Sequence, residues 1–336
     1  MKKIKNLAIF MLILLLSNSK VYATTLTAIK DNAWSTGEVM KVEDGVETTT
    51  HLRKLLIDNN SPAYCVDYGA HIKTGDVSVN QIDLISYFSR GISEQAAQDL
   101  NKKLGEYLYF GYGSEGRTSE KYFFATQKLV WETINATGFY KSQDYTSRVG
   151  TTNFSTVGYK IKNGNNIDIS AELAAINKSI SDYYIKPSMC TNNNKLELAV
   201  EESKIFTDSN GVLSKYSIEC GDGLSCNVNG NNLTVTAVAA GKDRTITFVK
   251  RADGLEPILY ENPTPDPDSP EKENQNVIIG GYVGPVSCSF NIDTFQNVQT
   301  GNILKATIII LGITLAIVAS AISLKILFSN KNTNIS

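Results

Sequence analysis

The sequence predicts an α+β N-terminal domain followed by an all-β, immunoglobulin-like stalk domain, and three observations carry that prediction. Strand-like runs and turns fill 37–68. Helical periodicity then takes over at about 93–110, 119–136 and 170–184. From Lys195 onward the period drops to two, in short runs separated by Gly-Asn or Asp-Gly turns. Strands first, then helices with strand-like connections, argue for segregated α+β layers.

Residues 1–23 read as a signal peptide. Lys2, Lys3 and Lys5 precede the apolar run Leu7–Leu16, and Val21-Tyr22-Ala23 has the form of a cleavage site. The first domain is expected over 24–187. Val39–Val42, Leu52–Ile57 and Ala63–Asp67 are its candidate strands. In the first helix Ser93 is a suitable N-cap, Ala97, Leu100, Leu104 and Leu108 share one face, and Gly111 and Gly113 end it. Thr118 is the expected cap of the second helix and Gly138 its stop. In the third, Leu173, Ile176, Ile180 and Tyr183 face inward, and Pro187 prevents continuation.

The second helix carries an anomaly. At about 100° per residue, Phe123, Gln127, Val130, Trp131 and Ile134 fall on one face, with Lys121, Lys128 and Glu132 opposite. Gln127 therefore points into the core, where an unpaired amide would cost roughly 1–3 kcal/mol. A cysteine could use that amide: a thiolate attacking the side-chain carbonyl expels ammonia and leaves an internal thioester. Cys65 lies upstream in a strand-like Tyr-Cys-Val-Asp run. A free thiol titrates near 8.5, so some thiolate is expected near neutrality. Tyr64 and Trp131 are candidates to shield the product from water.

Ala63-Tyr64-Cys65-Val66-Asp67 together with Ala125-Thr126-Gln127-Lys128-Leu129-Val130-Trp131 resembles the paired signature of Gram-positive surface thioester domains. In that family an aromatic or aliphatic residue precedes the cysteine, and Thr-Gln is followed by an aliphatic residue and a Trp. Leu129 stands where the family usually has Ala. The resemblance spans about 26–186. It implies that Cys65 and Gln127 are cross-linked, and that the domain is a cell-surface adhesin capturing a lysine amine covalently, once per molecule, without turnover or cofactor. It also suggests a host or surface protein as partner, fibrinogen-like proteins among the candidates. The tyrosines at 107, 109, 112 and 140 are weighed for a recognition surface, but core or rim is the commoner place for such residues and they are left out of the site.

The second domain is expected over 188–296. Its strands are Leu196–Val200, Tyr216–Cys220, Leu224–Val228, Leu233–Ala237 and Thr245–Val249, and a last one near Val286–Ile292 returns to the sandwich. Residues 261–276, with Pro263, Pro265, Pro267 and Pro270, read as an extended linker or long loop. Of the 5 cysteines, Cys190, Cys220, Cys226 and Cys288 lie in or near this domain. Four cysteines allow three pairings. Cys220 with Cys226 across a tight hairpin, leaving Cys190 with Cys288, is one; buried free thiols are the alternative.

The C-terminus has three parts. Asn297-Val298-Gln299-Thr300-Gly301 precedes an apolar stretch over 302–328, uncharged between Ala306 and Leu324, and then a short basic tail over 329–336. The order resembles a sortase sorting signal, which implies cleavage between Thr300 and Gly301, sortase as a partner and transfer to peptidoglycan. The usual Leu-Pro start is Asn-Val here. Uncut, the stretch would serve as a transmembrane anchor, with Lys325 and Lys331 placing the tail inside.

The net charge of −2 offers no basic field for nucleic acid. The 2 histidines, His51 and His71, lack metal-ligand spacing. Two rival readings remain at this level. One is a peptidase or transglutaminase using Cys65 as nucleophile and His71 as base, which leaves Gln127 unexplained. The other is a non-covalent adhesin or structural wall protein.

Overall fold

The computed structural model describes residues 24–29, 34–35, 37–70, 72, 75–142, 153–191, 196–263, 274–296 and 300–332. The signal peptide, His71 and Asn297–Gln299 lie outside that set. The chain divides into two compact units, one built from residues up to 185 plus 250–286, the other from 186–249 plus residues from 287 onward.

The first unit holds a closed six-stranded barrel. Its strands are β1 (Thr24–Ile29), β4 (Lys54–Ile57), β5 (Ser61–Cys65), β6 (Gly75–Ile82), β15 (Leu255–Glu261) and β16 (Val277–Gly281), ordered β1-β4-β5-β16-β15-β6. Every pairing in it is antiparallel. Leu26, Ala28, Leu55, Ile57, Ala63, Val79 and Val277 fill the barrel. A separate sheet runs β3 (Val46–His51), β2 (Val39–Glu43), β7 (Gly158–Ile161), β8 (Asn166–Ile167). The helices are α1 (Leu84–Phe88), α2 (Glu94–Phe110), α3 (Glu120–Ala136), α4 (Phe139–Ser142) and α5 (Ser170–Tyr183).

The helix starts follow from local chemistry. Ser93 caps α2 by accepting from the Ala96 N–H at 3.2 Å. At α3 the N-cap is Ser119 rather than Thr118, without a side-chain cap bond. Gly138, at φ 81°, ends the α3 region in a conformation that glycine adopts freely. Gly111 closes α2 for a different reason. A Cβ there would lie 2.6 Å from the Tyr107 carbonyl and overlap the Thr126 side chain.

The domain boundaries differ from the contiguous 24–187 and 188–296 expected. Leu255–Glu261 and Val277–Gly281 are barrel strands of the first unit, so the chain between them is the connection of a β15–β16 hairpin, the long-loop alternative and not an interdomain linker. The reason is edge closure. β5 and β6 would otherwise expose unpaired backbone, and β16 and β15 cover them while burying Leu259, Val277 and Ile278.

The second unit comprises two sheets. One orders β10 (Ser203–Thr207), β13 (Asn232–Ala237), β12 (Leu224–Asn229); the other β11 (Ser217–Cys220), β14 (Gly241–Lys250), β17 (Val286–Phe295), β9 (Leu196–Ala199). β17 and β9 run parallel, the rest of the described pairs antiparallel. Phe206 and Phe290 meet between the sheets at 5.3 Å. Two disulfides join Cys190 to Cys288 and Cys220 to Cys226, with Cα separations of 5.8 and 6.0 Å. The buried Asp208 carboxylate accepts the backbone N–H groups of Ser188, Asn210, Val212 and Leu213 at 2.7–3.1 Å.

Thr300–Asn332 is a single helix, α6, whose described apolar side chains from Ile308 to Ile322 are exposed. The transmembrane span expected over 302–328 falls within it. Among the described residues, no helix is long and apolar enough to cross a membrane. The described side chains of α6 begin at Ile308, so they cover only part of that span.

Candidate functional site

Cys65 is the last residue of β5, and Gln127 sits in the middle of α3, which packs on that strand. Gln127 is buried at 1 % exposure. Its amide is satisfied twice by one residue: Oε1 accepts from the Cys65 N–H at 2.8 Å, and Nε2 donates to the Cys65 carbonyl at 2.9 Å. The Cys65 thiol is in no disulfide. The two sequence-predicted residues are therefore in contact, with the amide carbon held beside the backbone of the residue whose sulfur would attack it.

That geometry is fixed from both sides. Opposite Cys65, β16 supplies Val277 as cross-strand partner. One residue on, the Val66 N–H donates to the Asn276 carbonyl at 2.9 Å, and the Tyr140 hydroxyl donates to the Val66 carbonyl at 2.5 Å. The buried Asp67 carboxylate accepts from the Tyr87 hydroxyl at 2.7 Å and from the Asn276 N–H at 2.9 Å. Beside Gln127, the Thr126 hydroxyl accepts from the Tyr112 N–H at 3.2 Å and donates to the Tyr122 carbonyl at 2.7 Å.

Aromatic rings enclose the pair. Tyr64 stacks on Phe123 at 4.8 Å, and Tyr68 meets Trp131 edge-on at 5.0 Å. Tyr64 and Trp131, the expected shields, are both buried. Of the four tyrosines weighed as recognition surface or as core and rim, Tyr107 and Tyr140 are core residues. Tyr109 and Tyr112 line an open cleft of about 330 Å³ with Tyr64 and Asp253.

The electrostatics depart from expectation. The Cys65 thiol is pushed up to about 12, first by burial and then by the Asp67 carboxylate, with Lys41 pulling the other way. Thiolate is therefore scarce at neutral pH. Lys128 also differs: it is buried rather than on a solvated face, and its ammonium meets the carbonyls of Phe154, Ser155 and Val157 and the Glu132 carboxylate. The sequence reading passed over Lys41 and Tyr159 near the site. Lys41 could have been noticed, because it interrupts the apolar run Val39-Met40-Lys41-Val42. Tyr159 left no such mark.

Residues 62–176, which include both members of the pair, match the thioester-domain family. This part of the chain is a thioester domain. The chain resembles the thioester domain of the Staphylococcus aureus TIE protein at a TM-score of 0.50 and 20% identity, over 82% of this chain and 100% of that one. That likeness supports the mixed α and β fold. The Bacillus anthracis TIE protein aligns at 10% identity and a TM-score of 0.33, over 81% of this chain and 49% of its own length. No curated protein sequence matches the chain. Among the described residues of the thioester domain and the second unit, no cluster of His, Cys, Asp and Glu could hold a metal ion.

Proposed function

We propose that Cys65 and Gln127 form an internal thioester, and that this bond captures a primary amine on a target. The observation that carries the reading is the double hydrogen bond between the Gln127 amide and the Cys65 backbone. The Cys65 N–H polarises the carbonyl under attack and stabilises the charge that grows on Oε1. The Cys65 carbonyl holds Nε2, the departing nitrogen, on the other side. Fixed placement supplies much of the barrier reduction through effective molarity.

In the second step a target lysine attacks the Gln127 carbon, the Cys65 sulfur leaves, and an amide remains. Sulfur leaves more readily than nitrogen, so the adduct persists and each molecule reacts once. The chain then acts as a covalent surface adhesin rather than as a turnover enzyme. A cysteine peptidase needs its thiol held well below the ordinary range, and Cys65 is pushed the opposite way.

Export by residues 1–23, cleavage at Thr300–Gly301 and wall or membrane attachment through the apolar C-terminal stretch complete the reading. The exposed Ile308–Ile322 side chains suit a lipid surroundings. Lysine-bearing host proteins are the proposed targets. Intact mass measurement tests the proposal: the native protein should weigh one ammonia less than its encoded composition, after allowance for disulfides. Methylamine should then add and release one thiol. A full-weight protein inert to methylamine overturns it.

A further inference from the structure

The open cleft of about 330 Å³ lies beside the reactive pair, and neither chemical step above uses it. It forms where two barrel strands part. The register between β5 and β16 covers Cys65 with Val277 and Tyr64 with Ile278. Past Tyr64, Ser61 and Pro62 line one side of the cleft and Gly280 and Gly281 another. The end of α2 and the turn after it add Tyr109 and Tyr112, and the segment leading into β15 adds Asp253.

Single-residue steps connect this cleft to the pair. Tyr64, in its lining, immediately precedes Cys65. The Tyr112 N–H donates at 3.2 Å to the hydroxyl of Thr126, which immediately precedes Gln127. The rings of Tyr64 and Tyr112 both meet Phe123, one turn before Gln127, at 4.8 and 5.8 Å. Cys65 and Gln127 do not themselves line the cleft. Its occupant is therefore not the reacting amine but what that amine is attached to.

The lining sets the chemistry of that occupant. Tyr109 is fixed by close packing: a Cβ on Gly281 would lie 2.4 Å from its backbone nitrogen, and one on Gly254 3.1 Å from its ring. Burial first, then the Glu115 and Asp253 carboxylates, hold the Tyr109 hydroxyl above its ordinary range, so both acids face this ring. Glu115 is already ion-paired with Arg117 at 3.0 Å. Asp253 is exposed and makes no ion pair among the described residues. An uncompensated carboxylate beside two half-buried tyrosines suits a cation on an apolar stem, the side chain of arginine or lysine. The parted strands on either side suit an extended polypeptide.

We propose that this cleft seats an extended segment of the target polypeptide next to its reactive lysine, with Tyr109, Tyr112 and Asp253 holding a second, basic side chain. The inference rests on the thioester reading and adds a preference among lysines to it. Those in basic surroundings couple first, because seating raises the effective concentration of their amine at the Gln127 carbon.

The test uses the full chain and two end-capped peptides that differ only around a single lysine, flanked by arginine in one and by glutamate in the other. Adduct formation is followed by intact mass. Each rate is divided by that of methylamine, which is too small to span the cleft, so a general loss of coupling cancels. The wild type should favour the arginine-flanked peptide by about tenfold, and added salt should shrink that preference. Asp253→Lys, at an exposed position, should reverse it, and Tyr109→Leu should weaken it severalfold. Equal peptide rates in the wild type, or a preference unchanged in Asp253→Lys, would overturn the proposal while methylamine uptake upheld the thioester. Equal peptide rates with a preference for 1,5-diaminopentane that Asp253→Lys removes would assign the cleft to a diamine, and would also overturn it. A wild-type protein of full mass, inert to methylamine, would instead remove the thioester, and this role of the cleft with it.

Discussion

The backbone of Cys65 and the side-chain amide of Gln127 grip each other at both ends, N–H to Oε1 at 2.8 Å and Nε2–H to carbonyl at 2.9 Å. This contact joins strand β5 to helix α3 as an additional backbone partner would. It also separates structural from chemical roles, because substitutions can remove either one alone.

Gln127→Ala leaves the Cys65 N–H and carbonyl unmatched in a buried site. It should lower stability by about 1–3 kcal/mol and abolish methylamine uptake. Gln127→Glu should also block uptake, since a carboxylate presents no ammonia to expel and sets an anion against the Cys65 carbonyl. Thermal unfolding and intact mass measurement check both.

Cys65→Ala retains the backbone on which the Gln127 amide rests. The fold should persist with a stability change of about 1 kcal/mol, as for loss of a small buried side chain. The protein should then have full mass and form no amine adduct. Unfolding of the variant in native buffer would contradict the assignment of a purely chemical role to the sulfur.

Asp67 fixes the Cys65 segment to a residue 209 positions later, through Asn276. Asp67→Ala removes a buried acceptor of two hydrogen bonds and should cost about 3 kcal/mol. It should also slow thioester formation, by loosening Cys65 against β16. The rate of ammonia loss on refolding measures the second effect.

In the second unit, burial would raise Asp208, but four backbone N–H groups outweigh it and hold the carboxylate below its ordinary 3.8. The folded form therefore binds its proton later than the unfolded one. The stabilisation is complete above about 4 and is lost as pH falls through the lowered value. Unit-specific acid unfolding should begin there, and Asp208→Asn should flatten the dependence.

The Cys190–Cys288 disulfide spans 98 positions. Removing it with paired Cys→Ala changes should destabilise the second unit by about 5 kcal/mol on chain-entropy grounds. Methylamine uptake should be unchanged, because Cys65 takes no part in either bridge.

Local patterns revealed local structure. The three long helices were legible because apolar residues recur at helical spacing, and Gln127 because an amide interrupted such a face. The barrel was not. The second partner of β5 arrives after a proline-rich stretch that reads as a linker or long loop, and non-local pairing leaves no local mark. The thiol's suppressed acidity was equally hidden, since it depends on burial and on where the Asp67 carboxylate points. Lys128 looked solvated because its carbonyl partners come from an unremarkable turn at 154–157.

The insertion of one unit within the other sets an order of assembly. Cys65 leaves the ribosome long before Val277, and β5, paired with β4 on one side, gains its second neighbour only when β16 arrives. The strand that carries Cys65 is thus fully enclosed only once most of the polypeptide has been synthesised. On the proposed thioester reading, a truncated or still-emerging chain would carry Cys65 and Gln127 without the completed barrel behind β5, and coupling would await the finished fold.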